Sequence, residues 1–88
     1  MIYHVEFTDV AKKQLKKLDR YIAALLVGWI RKNLEGCEDP RISGKALASN
    51  KRGQWRYRVG DYRILTLIQD KKLIILVVAI GHRKEIYD

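Results

Sequence analysis

The sequence predicts one α+β domain over residues 1–88, ordered β-α-α-β-β-β, with a helical hairpin packed on one face of a small, mostly antiparallel four-stranded sheet. Three observations carry this. Two segments before residue 35 repeat apolar residues at helical spacing, and β-prone runs separated by short turn signals follow residue 54. Eighty-eight residues also hold only one modest core, because so short a chain buries only about two-thirds of its unfolded surface. With 48% hydrophobic and 32% charged residues, the composition is that of a folded chain.

Ile2 to Phe7 alternates as a strand, with Tyr3, Val5 and Phe7 on one face. Thr8 or Asp9 can cap the helix that follows, whose narrow apolar stripe is Ala11, Leu15 and Leu18. Lys12, Lys13, Lys16 and Lys17 fill its remaining surface: either a nucleic-acid backbone contact or an exposed face of good helix formers. At Leu18-Asp19-Arg20 the chain either makes a tight joint capped by Asp19 or runs on as helix. From Ile22 the residues Leu25, Leu26, Trp29 and Ile30 continue the helical period, which ends near Leu34 with Gly36 beyond it. Trp29 belongs in the core. Residues 36–53 are irregular, punctuated by Pro40, Ser43, Gly44, Ser49, Asn50 and Gly53. Ala46 and Leu47 are its expected core anchors, and Arg41, Lys45, Lys51 and Arg52 give it a positive edge.

The most informative stretch is Trp55-Arg56-Tyr57-Arg58-Val59-Gly60-Asp61-Tyr62-Arg63. Strand alternation puts Arg56 and Arg58 on one face and Trp55, Tyr57 and Val59 on the other. Gly60-Asp61 reads as a two-residue hairpin turn, which sets Val59 opposite Tyr62 and Arg58 opposite Arg63. Like charges facing each other repel unless an anion lies between them, and guanidinium forks match phosphate oxygens. The same stretch also fits a solvated polar face. The second strand of the hairpin runs to about Gln69, Asp70-Lys71-Lys72 turns the chain, and Leu73 to Ile80, apolar on both faces, is an interior strand. A two-residue Lys71-Lys72 turn sets Ile80 opposite Arg63 and brings Gly81-His82-Arg83 out beside the arginines.

The net charge of +8 favours nucleic acid, an anionic membrane surface or an acidic protein as partner. Cys37 is the only cysteine, so no internal disulfide forms and no zinc-finger spacing exists. No signal sequence opens the chain, and the uncharged runs Tyr21–Ile30 and Leu73–Gly81 fall short of the about twenty residues that span a bilayer. The expected location is the cytoplasm, away from membranes. There is no Gly-rich phosphate loop, no carboxylate pair and no metal-ligand spacing, so neither metal nor cofactor is expected. An arginine-rich site with His82 and Tyr87 can promote attack of a ribose 2′-hydroxyl on the adjacent phosphorus, the arginines stabilising the added negative charge. His82 alone there has an ordinary pKa suited to proton transfer near neutrality. Binding without cleavage is the competing reading.

Gly44-Lys45-Ala46-Leu47, the hairpin and the tail Gly81-His82-Arg83-Lys84-Glu85-Ile86-Tyr87 together resemble the RelE/ParE superfamily of type II toxin–antitoxin toxins, in particular its RelE branch. The resemblance implies a metal-free, ribosome-dependent endoribonuclease, an mRNA interferase that cuts mRNA in the ribosomal A site and is neutralised by a RelB-like antitoxin. By position, Arg63 and Arg83 match arginines that hold the scissile phosphate, and Tyr87 matches a C-terminal tyrosine that acts on the substrate nucleotide. Arg56 and Arg58 stand where the best-known RelE toxins carry lysines, one of them proposed as the base. Arginine stays protonated, so His82, and after it Glu85, becomes the proton-transfer candidate. The lysine face of the first helix, with Lys45, Lys51 and Arg52, gains an RNA-binding role. The alternatives are a ParE-like inhibitor of DNA gyrase and a catalytically inactive RNA- or antitoxin-binding module.

Overall fold

In the computed structural model, which describes residues 1–47 and 53–85, the chain turns where short polar side chains satisfy its backbone. Strand β1 (His4–Phe7) ends at Thr8, whose hydroxyl oxygen accepts from the Ala11 N–H and caps helix α1 (Asp9–Lys17). Asp19 caps helix α2 (Arg20–Asn33) by accepting from the Tyr21 and Ile22 N–H groups, which makes residues 18–20 a joint between two helices. Strands β2 (Lys45–Ala46), β3 (Gln54–Val59), β4 (Tyr62–Gln69) and β5 (Ile74–His82) follow, in the sheet order β1-β5-β4-β3-β2. Among the described residues, only the β1–β5 pair is parallel.

The helices bury their stripes against one face of this sheet. Ala11, Leu26, Ile30 and Leu34 meet Tyr57, Ile64, Ile75, Val77 and Ile80 in the core. Each Leu, Ile or Val among them contributes about 1.5–3 kcal/mol by leaving water. Trp29, expected in the core, is half-buried at its margin, its ring packed on Tyr57 at 5.6 Å between centroids. Strand β5 is interior, between β1 and β4.

Among the described residues the sheet has five strands where the sequence predicts four. The additional one, β2, pairs Lys45 with Arg56 and Ala46 with Trp55. Gly44 makes this possible: at φ +82°, it lies so close to β3 that a Cβ would stand 2.3 Å from the Arg56 carbonyl oxygen. Ala46 is consequently exposed on an edge strand, not a core anchor, and Leu47 is half-buried. The segment is held from the other side, by the Tyr57 hydroxyl donating to the Pro40 carbonyl and by Trp55 Nε1 donating to the Ser43 carbonyl at 2.7 Å.

The register of β4 with β5 begins as expected, with Gln69 opposite Ile74, and then shifts by one residue between Leu65 and Thr66. Thr66 faces Val77 and Leu65 faces Ala79, leaving Val78 as the extra residue of a β-bulge. Arg63 therefore lies opposite Gly81, not Ile80. The bulge sits where β1 stops: Phe7 pairs with Val77, the Thr8 hydroxyl donates to the Val78 carbonyl, and the Ile80 N–H donates to Gln14 Oε1 of α1 at 2.7 Å.

A polar latch closes the opposite end of the sheet. Arg41 donates two hydrogen bonds to the Asp70 carboxylate, at 2.9 and 3.0 Å, and the Tyr3 hydroxyl donates a third at 2.7 Å. These donors, Arg41 first, hold the Asp70 carboxyl below its usual range. A carboxyl lowered in the folded state contributes stability that is fully present above the ordinary aspartate value of about 3.9 and is lost as the pH falls through the lowered one. Because the pair is half open to water, Asp70→Asn should cost about 1 kcal/mol or less at pH 7. Urea denaturation of both proteins should show that deficit shrinking as the pH drops to 3. A deficit independent of pH would remove the ionic explanation.

Candidate functional site

The β3–β4 hairpin turns on Gly60-Asp61, with Gly60 at φ +59°, and sets Val59 opposite Tyr62 and Arg58 opposite Arg63, as the sequence predicts. Residues directly opposite share a face. Val59, Tyr57 and Trp55 accordingly lie on the helix-covered face with Tyr62, Ile64 and Thr66, leaving Arg56, Arg58 and Arg63 on the open one. Burial is the first cause, and the neighbouring Arg63 and Arg58 charges the next, that lower the Arg56 pKa, although a guanidinium stays protonated at neutral pH.

Arg58, Gly60, Asp61, Arg63 and Arg83 line a cleft of about 160 Å³ on this face. A second groove, of about 230 Å³, is lined by Gly44, Lys45, Arg56 and Arg58, so Arg58 is common to both. Arg83 reaches the cleft because its N–H donates to the Asp61 carbonyl at 2.8 Å, carrying the β5 backbone one bond beyond His82. The Asp61 carboxylate lies 3.9 Å from Arg83 Nε, with both side chains largely in water. Such a separated, hydrated pair leaves the cleft cationic. Asp61 is the site residue that sequence reasoning missed; it was legible only as a turn former.

Four of the expected site residues are thus together: Arg58, Arg63 and Arg83 in one cleft and Arg56 beside it, with Lys45 joining the second groove. His82 is not with them. It pairs with Tyr62, and the two rings meet edge-on at 5.4 Å, which puts the imidazole on the helix-covered side at the end of the sheet. Its Nδ1 accepts from the Lys84 N–H at 3.1 Å, so in the neutral ring the proton is on Nε2. Glu85 is also on that side, lining a groove with Gln14, Lys17 and Leu18. Lys12, Lys13, Lys16 and Lys17 are exposed on α1, across the sheet from the cleft. Tyr87, Lys51 and Arg52 lie outside the described residues.

Chemically, this cleft can hold a phosphate or another oxyanion by paired guanidinium hydrogen bonds and can stabilise charge that builds up on it. Among the described residues, no three His, Cys, Asp or Glu side chains are grouped to hold a metal ion. Burial pushes the Cys37 thiol up, which disfavours the thiolate that a nucleophile needs. No helix among the described residues is long and apolar enough to cross a membrane.

A small α+β domain with guanidiniums gathered on the open face of its sheet has the chemistry of a polyanion-binding protein. Residues 5–87 match the family described as the ParE toxin of type II toxin-antitoxin system, parDE. Toxin RelG of Mycobacterium tuberculosis is 33% identical over 87 residues, covering 99% of this chain and 98% of that protein. Toxin RelE of the same organism is 32% identical over 97% of this chain and 86% of its own length. The toxin–antitoxin complex RelBE2 from M. tuberculosis contains a chain that superposes with a TM-score of 0.82 at 31% identity, covering 94% of this chain and all of that one. The chain belongs to the RelE/ParE superfamily of type II toxin–antitoxin toxins.

The facing pair Arg58–Arg63 makes a prediction about sign. Arg58→Thr should stabilise the free chain by roughly 0.2–1 kcal/mol, because it removes a like charge directly across the hairpin. The same change should reduce the stabilisation gained from added phosphate. Thermal melts with and without phosphate test both, and a variant less stable than wild type in phosphate-free buffer would show that the pair is not repulsive.

Proposed function

We propose that this toxin is a ribosome-dependent, metal-independent endoribonuclease that cleaves mRNA in the ribosomal A site by attack of a ribose 2′-hydroxyl on the adjacent phosphorus. The observation that carries the reading is the cleft formed by Arg58, Arg63 and Arg83. Three guanidiniums can bind one phosphate and stabilise the extra negative charge of its pentacoordinate transition state. Arg56 and Lys45 extend the cation track along the RNA backbone, and the α1 lysines add salt-dependent affinity for ribosomal RNA. Tyr87 would act on the substrate nucleotide. A RelB-like antitoxin would neutralise the toxin, as the toxin–antitoxin structure of its relative suggests.

The test is to map mRNA 5′ ends in a purified translation system with stalled ribosomes. New ends within the A-site codon should survive a chelator and disappear with Arg63→Ala, while ribosome binding falls much less, because contacts made only in the transition state raise the chemical rate. Absence of new ends from folded protein would redirect the reading to inhibition of DNA gyrase, the second possibility, favoured by the ParE description of the matched family.

Proton transfer is assigned to His82. In the free chain its ring rests against Tyr62 on the helix side, so the role requires the ring to leave Tyr62 when RNA is bound. His82→Gln should then lower single-turnover cleavage by about two powers of ten. A loss of less than threefold would return the imidazole to a packing role.

A further inference from the structure

The arginine cleft contains one group that phosphate binding does not explain. Its lining is Arg58, Gly60, Asp61, Arg63 and Arg83, and guanidiniums only donate hydrogen bonds, so among the described residues the Asp61 carboxylate is its single side-chain acceptor. A negative charge there works against any anion held by the three cations. The turn does not ask for it either. With Gly60 taking the positive φ of the first turn position, the second accommodates almost any residue.

Local bonding leaves the carboxylate unused as well. Asp61 holds the Arg83 N–H through its backbone carbonyl at 2.8 Å, and its carboxylate accepts no hydrogen bond among the described residues. The cation beside it, Arg83 Nε at 3.9 Å, is past hydrogen-bond reach, and both side chains are largely in water. The carboxylate oxygens are therefore open to a donor that a ligand brings.

The size of the cleft narrows what that donor can be. About 160 Å³ is well below the roughly 300–1,000 Å³ of pockets that enclose whole drug-sized ligands, so the cleft takes a phosphate and the sugar edge beside it, and not a base as well. Beside the phosphate of a nucleic-acid backbone, the hydroxyl donor is the ribose 2′-hydroxyl, which DNA lacks. We infer that Asp61 accepts a hydrogen bond from the 2′-hydroxyl next to the phosphate held by Arg58, Arg63 and Arg83, and that this bond makes the cleft select RNA over DNA. The inference rests on the reading of the cleft as a phosphodiester site and deepens it. Against ribose, the carboxylate is satisfied by an O–H that only RNA carries. Against deoxyribose, it faces the phosphate charge with nothing in return. The arginines hold any phosphate, and Asp61 decides which backbone keeps that affinity.

The experiment follows the backbone amides of the cleft by NMR while the free chain is titrated with the dinucleotide uridylyluridine and with its 2′-deoxy and 2′-fluoro counterparts. The 2′-fluoro form keeps the ribose pucker but has no hydroxyl donor, and inorganic phosphate is the probe without a sugar. Wild type should bind the ribose form about tenfold more tightly than the other two, as a hydrogen bond from a hydroxyl to a carboxylate implies. Asp61→Ala, and beside it Asp61→Gly, which this turn readily accepts, should bind the three dinucleotides alike and inorganic phosphate more tightly than wild type does. Thermal melts check that each variant is folded. Equal affinity of wild type for the three dinucleotides, or a ribose preference that survives in both variants, would overturn the role of Asp61 and leave the phosphate site standing. A loss of affinity shared equally by every probe would overturn it too, reducing Asp61 to a support for Arg83. Cleft amides that respond to none of the probes would overturn the phosphate site itself and the inference with it.

Discussion

The structure depends on the register of one hairpin. A two-residue turn at Gly60-Asp61 forces Arg58 to face Arg63, an arrangement that opposes folding by itself. What holds it is the other side of the same residue pairs: Tyr57 opposite Ile64, both fully buried beneath the helices. Slipping β3 against β4 by one residue would expose Tyr57 and bury Arg58, and the cost of an unpaired buried charge far exceeds the repulsion avoided. The core thus fixes the strand positions from which these arginines project, so the cationic face is set by packing elsewhere in the chain.

The second determinant is the bulge at Val78. Without it, β5 would present Ile80 and His82 on the arginine face; with it, Gly81 and Arg83 are there and His82 is on the far side. A single inserted residue therefore puts a third guanidinium, instead of the imidazole, on the arginine face. Gly81 adds no side chain beside Arg63, and the backbone bond from Arg83 to Asp61 fixes where the third cation emerges. The cleft is consequently rich in groups that stabilise charge and, among the described residues, poor in groups that move protons.

This explains which parts were legible in the sequence. The caps at Thr8 and Asp19, the buried stripe of α2 and the Arg58–Arg63 pairing each follow from residues a few positions apart. The bulge does not, because its cause is distant: β1 ends at Phe7, and α1 takes over the β5 edge by offering Gln14 to the Ile80 N–H. A glutamine in a lysine-rich helix carries no sign that it caps a strand more than sixty residues away. Strand β2 was hidden for a similar reason. Two residues are too few for periodicity to register, and what makes them a strand is the close passage of Gly44 over Arg56.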